Sequence, residues 1–261
     1  AVVLLVGLPT VAESEGFDRT TLRLPEGHET LVEVVTAANR RTVVALSNGG
    51  AVELGWADRA AAVLECYLGG QAGGTALVDV LFGDAEPGGR LAESFPVSAA
   101  ELPAHVNFAT HPTQVQYRET LYVGYRFHDT FDVAPRFCFG HGLGYTTFTV
   151  GDLAVEGSGT DRTAAVLVRN TGGRPGSEVV QLYVHDVTSP LHRPEQELKA
   201  FAKVHLQPGE SQTVSVGLDR LVAEFDLDSL AYYHRGLAGE QHERLGAGMI
   251  LGASLLTARG V

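Results

Sequence analysis

The densest polar cluster in the sequence is Glu13-Ser-Glu15-Gly-Phe-Asp18-Arg19, a few residues beyond an apolar run. Ligand sites in open α/β sheets lie just past the carboxyl ends of the strands, and this stretch occupies such a loop. Gly16 permits a tight backbone, so a neighbouring carboxylate can be presented towards a cleft. The expected chemistry is proton transfer, with Glu15 as the preferred general acid/base and Glu13 as the fallback. Glutamate suits that work where partial burial raises a carboxyl towards neutral pKa. Spacing alone leaves a plainer reading open: a solvated acidic loop shaped by an Asp18–Arg19 pair.

Other side chains offer less. Gly69-Gly70 and Gly73-Gly74-Thr75 before a helix could expose N–H groups to a phosphate. They match neither nucleotide-binding glycine pattern and have no lysine nearby, so close packing and a tight turn are expected instead. His105, His111, His128 and His141 lack ligand spacing, and neither a metal nor a cofactor is expected. His141 reads as a turn residue, and Trp56, in an alanine-rich setting, as a packing residue rather than a sugar platform. Tyr117, Arg118 and Glu119 could border a cleft without being placed by the sequence. Substrate-binding residues stay unknown.

The elements that must position the cluster read as α/β over residues 1–101. Ala1-Val-Val-Leu-Leu-Val6 has the continuous apolar character of a strand buried on both faces, ending at Gly7 and Pro9. A helix is expected over Glu29 to Arg40, with Leu31, Val34, Val35 and Ala38 on its buried face. Thr42–Leu46 reads as the next strand, followed by a Ser47-Asn-Gly-Gly50 turn and a segment rising to Ala61–Tyr67. Thr75 can cap a helix through Leu81. A central-strand pattern at residue 1 implies that earlier strands lie in another segment. The expectation is a truncated domain.

Residues 145–261 change character. Short strands are expected near Phe148–Val155, Thr163–Arg169, Glu178–His185, Leu198–Leu206 and Thr213–Leu218, with a late pair near Leu230–Tyr233 and Met249–Leu255. Turn signals at Gly157–Gly159, Asn170–Gly173 and Pro208-Gly209 separate the earlier strands. Val180, Leu182 and Val184 alternate with Val179, Gln181 and Tyr183, the pattern of a one-sided sheet. This points to a β-sandwich of the immunoglobulin or fibronectin type III kind. Residues 102–144 connect the two, and Leu121–Phe127 fits a strand and a helical turn about equally.

With 261 residues and 44% hydrophobic side chains, the chain can build two packed cores. Asp and Glu number 31 against 19 Lys and Arg, a net charge of −12 that leaves no basic stripe for nucleic acid. No apolar run reaches the length of a bilayer span, so no membrane partner is expected. Cys66 and Cys138 are too few for a disulfide framework. Compartment stays open between cytoplasmic and secreted, and association as a homo-oligomer is open as well.

Several collinear motifs resemble glycoside hydrolase family 3, the β-glucosidase and β-xylosidase family. They begin with Gly7-Leu-Pro-Thr-Val-Ala-Glu-Ser-Glu-Gly-Phe-Asp-Arg19. Gly69-Gly-Gln-Ala-Gly-Gly-Thr-Ala-Leu-Val-Asp-Val-Leu-Phe-Gly-Asp84 and Pro87-Gly-Gly-Arg-Leu-Ala-Glu-Ser-Phe-Pro96 follow. Then come Tyr117-Arg-Glu-Thr-Leu-Tyr-Val-Gly-Tyr-Arg126 and Phe137-Cys-Phe-Gly-His-Gly-Leu-Gly-Tyr-Thr-Thr-Phe148. The last are Asn170-Thr-Gly-Gly-Arg-Pro-Gly-Ser-Glu-Val-Val-Gln-Leu-Tyr-Val184 and Glu197-Leu-Lys-Ala-Phe201. Residues 234–247 depart from the family's usual approach to its last strand.

The resemblance implies a fold of α/β plus all-β class: part of an α/β sandwich domain followed by a fibronectin type III-like β-sandwich. It places the family's acid/base glutamate on Glu15, and it implies removal of terminal sugars from a β-linked glucoside or related glycoside. The family's aspartate nucleophile belongs to a (β/α)8 barrel with no counterpart here. The expectation is that this chain alone does not hydrolyse glycosides and needs the barrel in cis or in trans. The competing function is a non-catalytic carbohydrate-binding or spacer module, which binding of residues 145–261 to cellulose, xylan or chitin would favour. The sandwich lacks tryptophans for such binding, since Trp56 lies outside it.

Overall fold

A computed structural model of the chain describes residues 1–108, 111, 113–158, 161–186, 189–217, 230–235 and 254–258. Expectations that fall on Gly159, Leu218, 236–247 and 249–253 lie outside the described residues. The first unit is a four-stranded sheet in the order β1 (Val2–Gly7), β2 (Thr42–Ser47), β3 (Ala62–Glu65), β10 (Ser254–Ala258). The first three strands are parallel, and β10 runs antiparallel to β3. Of the late strand expected near Met249–Leu255, Ser254 and Leu255 are described and belong to β10, which extends this sheet.

Helix α1 (Glu26–Ala38) follows Pro25 and carries Glu26 and Glu29 in its first turn, where the helix dipole favours negative charge. It covers one sheet face: Leu4 and Val6 of β1 and Val44 and Leu46 of β2 share a core with Val32, Leu54, Trp56 and Phe95. Trp56 is thus a packing residue. Helix α2 (Gly73–Phe82) covers the other face, with Val80 against Ala45 and Leu64. Its cover does not extend to β1, where Val3 and Leu5 stay exposed, Leu5 at 68%. The expected burial of β1 on both faces is therefore corrected: among the described residues only one face is covered.

The buried face of α1 is also rotated from the expected one. Val32 and Thr36 are buried and Val35 is partly so, while Leu31 and Val34 are exposed. Thr36 escaped the apolar count because it is polar. Its hydroxyl donates to the Val32 carbonyl at 2.7 Å, which satisfies the group inside the helix and lets the residue face the core.

The second unit packs two antiparallel sheets. One contains β4 (Phe148–Ser158), β5 (Asp161–Asn170) and β8 (Ser211–Gly217); the other runs β7 (Glu197–Leu206), β6 (Gly176–Asp186), β9 (Leu230–Arg235). Phe148, Val166, Val168, Val180, Val204, Leu206 and Val214 fill the space between them. The one-sided pattern expected of β6 does not hold, because Val179, Gln181 and Tyr183 are buried as fully as Val180, Leu182 and Val184. The connecting segment covers that second face. Its short helix α3 (Tyr125–Thr130) sets the Tyr125 ring edge-on to Tyr183 at 5.6 Å. The choice left open for Leu121–Phe127 resolves as turns leading into α3, without a strand.

The two units are joined through buried charge. Arg90, in the stretch after α2, donates from Nη2 to Glu178 Oε1 at 2.9 Å, with both side chains 1% exposed.

Candidate active site

The site is assembled at the carboxyl ends of β1, β2 and β3, where three loops emerge side by side. At the end of β1, Gly7 lies against β2 so closely that a Cβ would fall 1.9 Å from the Ser47 carbonyl oxygen. Only glycine fits there. The chain then makes a single 3-10 turn over Thr10–Ala12, and Glu13 follows. Both carboxylate oxygens of Glu13 accept the Gly49 N–H, at 2.8 and 3.0 Å, which ties the loop after β1 to the turn after β2.

Glu15 comes two residues later, at the corner of a turn in which the Phe17 N–H donates to the Ser14 carbonyl at 3.3 Å. Gly16 completes that turn with a φ of +82°, the left-handed conformation that a side chain would strain. Glu15 is exposed and bonds to none of the other described residues. Val11 at 82% and Phe17 at 77% exposure are apolar side chains left open to solvent in the same loop. The two candidate glutamates are thereby told apart: Glu13 is spent on a backbone contact, whereas Glu15 is presented outward.

The Asp18–Arg19 pair of the plainer reading does not form. Asp18 is exposed, and Arg19 turns inward to donate from Nη1 to the Ala51 carbonyl at 3.0 Å. There it faces Glu13 and Glu93, which partly offset the lowering that its own burial imposes. Burial raises the Glu93 carboxyl above the usual carboxylate range, with the Ala51 N–H and Arg19 pulling the other way.

Behind this layer lies Glu65, the last residue of β3 and fully buried. Its Oε1 accepts the Tyr67 N–H at 2.8 Å and its Oε2 accepts Asn48 Nδ2 at 3.1 Å. Burial pushes this carboxyl up to about 8; the two donors lower it, while Glu93 and Glu13 raise it further. Sequence reasoning passed over Glu65, Asn48 and Glu93. The available signal was positional, since Asn48 and Glu65 are the polar residues at the carboxyl ends of β2 and β3, next to the loop already singled out.

The remaining candidates do not join this group. Of the glycines at 69–74, Gly69 packs closely, since a Cβ on it would meet Gly73 Cα at 3.0 Å, and Gly70 turns the chain at a φ of +62°. A Cβ on Gly70, Gly73 or Gly74 would meet nothing within 4 Å, so the expected close packing holds for Gly69 alone. These glycines border a cavity of about 570 Å³, lined by Leu5, Ala45, Leu68 and Leu77 among others and by no charged side chain. Tyr117 and Arg118 are exposed in the connecting segment. Among the described residues, no group of three or more His, Cys, Asp or Glu side chains could hold a metal ion. No helix there is long and apolar enough to cross a membrane.

Residues 1–145 match the glycosyl hydrolase family 3 C-terminal domain, and residues 178–233 match a fibronectin type III-like domain. The thermostable beta-glucosidase B of Acetivibrio thermocellus is 48% identical over 222 residues, which is 84% of this chain and 29% of that protein. An exo-alpha-(1->6)-L-arabinopyranosidase of Bifidobacterium breve is 44% identical over 220 residues, again 84% of this chain and 29% of the relative. The chain thus spans less than a third of the length of these relatives. Among solved structures, a GH3 beta-glucosidase of Bifidobacterium adolescentis superposes with a TM-score of 0.84 at 34% identity, covering 98% of this chain and 39% of that one. A beta-glucosidase of Kluyveromyces marxianus in complex with glucose gives 0.80 at 41% identity, over 83% of this chain and 26% of its own.

Proposed function

The chain belongs to glycoside hydrolase family 3, and on that premise we propose that it supplies the general acid/base of a retaining, exo-acting β-glucosidase-like enzyme. Glu15 is the acid/base. The nucleophile comes from a (β/α)8 barrel outside these residues, in cis or in trans. The observation that carries this reading is the division of labour in one loop: Glu13 is held by the Gly49 N–H, while Glu15 stands exposed at a turn corner beside it.

Retaining hydrolysis needs two carboxyl groups roughly 5–5.5 Å apart across the scissile bond. One attacks the anomeric carbon as the other protonates the departing oxygen. That second group then takes a proton from the water that releases the sugar. Glu15 suits the second role, because it reaches outward from a backbone pinned at both ends. The covering domain would bury Val11 and Phe17 and withdraw water from around the carboxyl.

Relatives named for a β-glucosidase and for an arabinopyranosidase match this segment to similar degrees, so we assign sugar choice to the nucleophile-bearing domain. The test is a comparison of leaving groups in the enzyme that unites this chain with its barrel. Glu15→Gln is expected to spare kcat/KM on dinitrophenyl glycosides, which need no proton in the first step, and to lower it about 10²–10⁴-fold on alkyl glycosides, which do. Equal loss on both would remove Glu15 from the role. The 261-residue chain by itself is expected to turn over neither, and robust hydrolysis by it would overturn the division between two domains.

A further inference from the structure

We propose that Glu65 is a positioning residue for Glu15, acting through Asn48, the Gly49 N–H and Glu13. The inference rests on the assignment of Glu15 above and adds a support that lies behind it. Glu65 and Asn48 are both fully buried. The Asn48 amide nitrogen divides its two hydrogens between Glu65 Oε2 at 3.1 Å and the Gly50 carbonyl at 3.0 Å. That pair of bonds sets the shape of the turn. Gly49 lies between the two anchored residues, and its N–H is aimed at Glu13. Glu13 in turn fixes the backbone two residues before Glu15. Each link is short and directional, and the innermost one cannot shift without opening a packed strand end.

The protonation state of Glu65 follows from what surrounds it. The charged groups that act on it are Glu93 and Glu13, both negative, while Arg19 is directed at those two. The neighbouring Cys66 thiol and Tyr67 hydroxyl are both pushed up by burial, Cys66 to about 11, and Glu65 raises them further. Asn48 Oδ1 is buried and has no hydrogen-bond partner among the described residues. Burial and the two negative neighbours favour the neutral form of Glu65, against the two hydrogen bonds that favour the ionised one. Neutral Glu65 holds Asn48 without repelling Glu13.

The test uses the full enzyme, with the leaving-group dependence of kcat/KM, which reports the step that forms the glycosyl-enzyme, as the readout. Glu65→Leu removes both acceptors at similar volume, and it is expected to lower kcat/KM on alkyl glycosides by on the order of 10²-fold, the cost of misplacing a catalytic group by about 1 Å. It should leave kcat/KM on dinitrophenyl glycosides within a few-fold, because that leaving group needs no proton. Glu65→Gln, which copies the neutral acid, is expected to recover most of that loss. Should Glu65→Leu fail to fold, Glu13→Ala interrupts the same chain nearer the surface and is expected to show the same selective loss. Equal loss on both substrate types in these variants, or a Gln variant no better than Leu, would overturn the proposal. Glu15→Gln run alongside separates the two claims. A selective loss there, without one in the Glu65 and Glu13 variants, leaves the Glu15 assignment standing and defeats only the positioning role. A non-selective loss at Glu15 defeats both.

Discussion

Breaking the Arg90–Glu178 pair should cost far more than removing it. Arg90 Nη2 donates to Glu178 Oε1 at 2.9 Å, and Arg90 Nη1 donates to the Gly89 carbonyl at 2.8 Å. Glu178 Oε1 also accepts the Val179 N–H at 2.7 Å. Arg90 Nε and Glu178 Oε2 are nevertheless buried without partners. The pair therefore bears the full desolvation of two charges with incomplete hydrogen bonding. Glu178→Leu leaves the guanidinium uncompensated, with Lys203 near it as a second positive charge. The expected loss is about 3–5 kcal/mol. Replacing both partners by apolar residues of similar volume, Arg90→Met with Glu178→Leu, is expected to fall within about 1 kcal/mol of the parent. Urea denaturation of the parent, the two singles and the double gives the coupling directly. A single variant that loses less than 1 kcal/mol, or a double that loses as much as the two singles added together, would refute the reasoning. The same experiment reports on how the two units are joined, because Arg90 and Glu178 lie on opposite sides of their contact.

Two further outcomes follow from the site. Burial raises Glu65 to about 8, so the folded chain keeps a proton that the unfolded chain releases near 4.5. Its contribution is full below pH 4.5, declines as pH rises and levels off above pH 8, a loss of about 3 kcal/mol by pH 7. Thermal melting across pH 5–9 should show this decline in the parent and a flatter profile in Glu65→Gln; identical profiles would contradict it. Gly16→Ala meets no neighbouring atom within 4 Å but forces a side chain into φ +82°, so it is expected to cost about 1 kcal/mol of stability. Because that strain sits beside Glu15, kcat on alkyl glycosides should fall by more than the stability loss explains, and an unchanged kcat would argue that the turn does not present the acid.

Much of this arrangement was legible in the sequence because it follows local rules. A strand ending in glycine, a loop dense in carboxylates and a glycine at the turn marked out the loop after β1, and the family resemblance, not the spacing, singled out Glu15 within it. The strands of the second unit were equally visible, since short apolar runs and the turn signals between the earlier ones lie within a few residues of each other. What escaped depended on contacts between distant segments. Tyr183 and Gln181 read as a solvent face until the Tyr125 ring, from the connecting segment, is seen against Tyr183, whose hydroxyl donates to Gln181 Oε1. Thr36 hid its polarity within its own helix, and the apolar count rotated α1 as a result. Glu65 gave only its place at the end of an apolar strand, because its importance lies in Asn48 and Glu13, which the fold brings to it. The Gly49 N–H that holds Glu13 comes from another loop and was hidden for the same reason.

The most direct test of the acid/base assignment is the product formed when azide is supplied to Glu15→Ala in the full enzyme, with a dinitrophenyl β-glucoside as substrate. Removing the acid/base opens the face from which water normally attacks the glycosyl-enzyme, and a small anion can enter there without a proton to lose. The account predicts that azide restores turnover and yields the β-glycosyl azide, with configuration retained. Formation of the α-glycosyl azide would mark Glu15 as the nucleophile, and an absence of any azide adduct alongside undiminished hydrolysis would show that the proton comes from elsewhere.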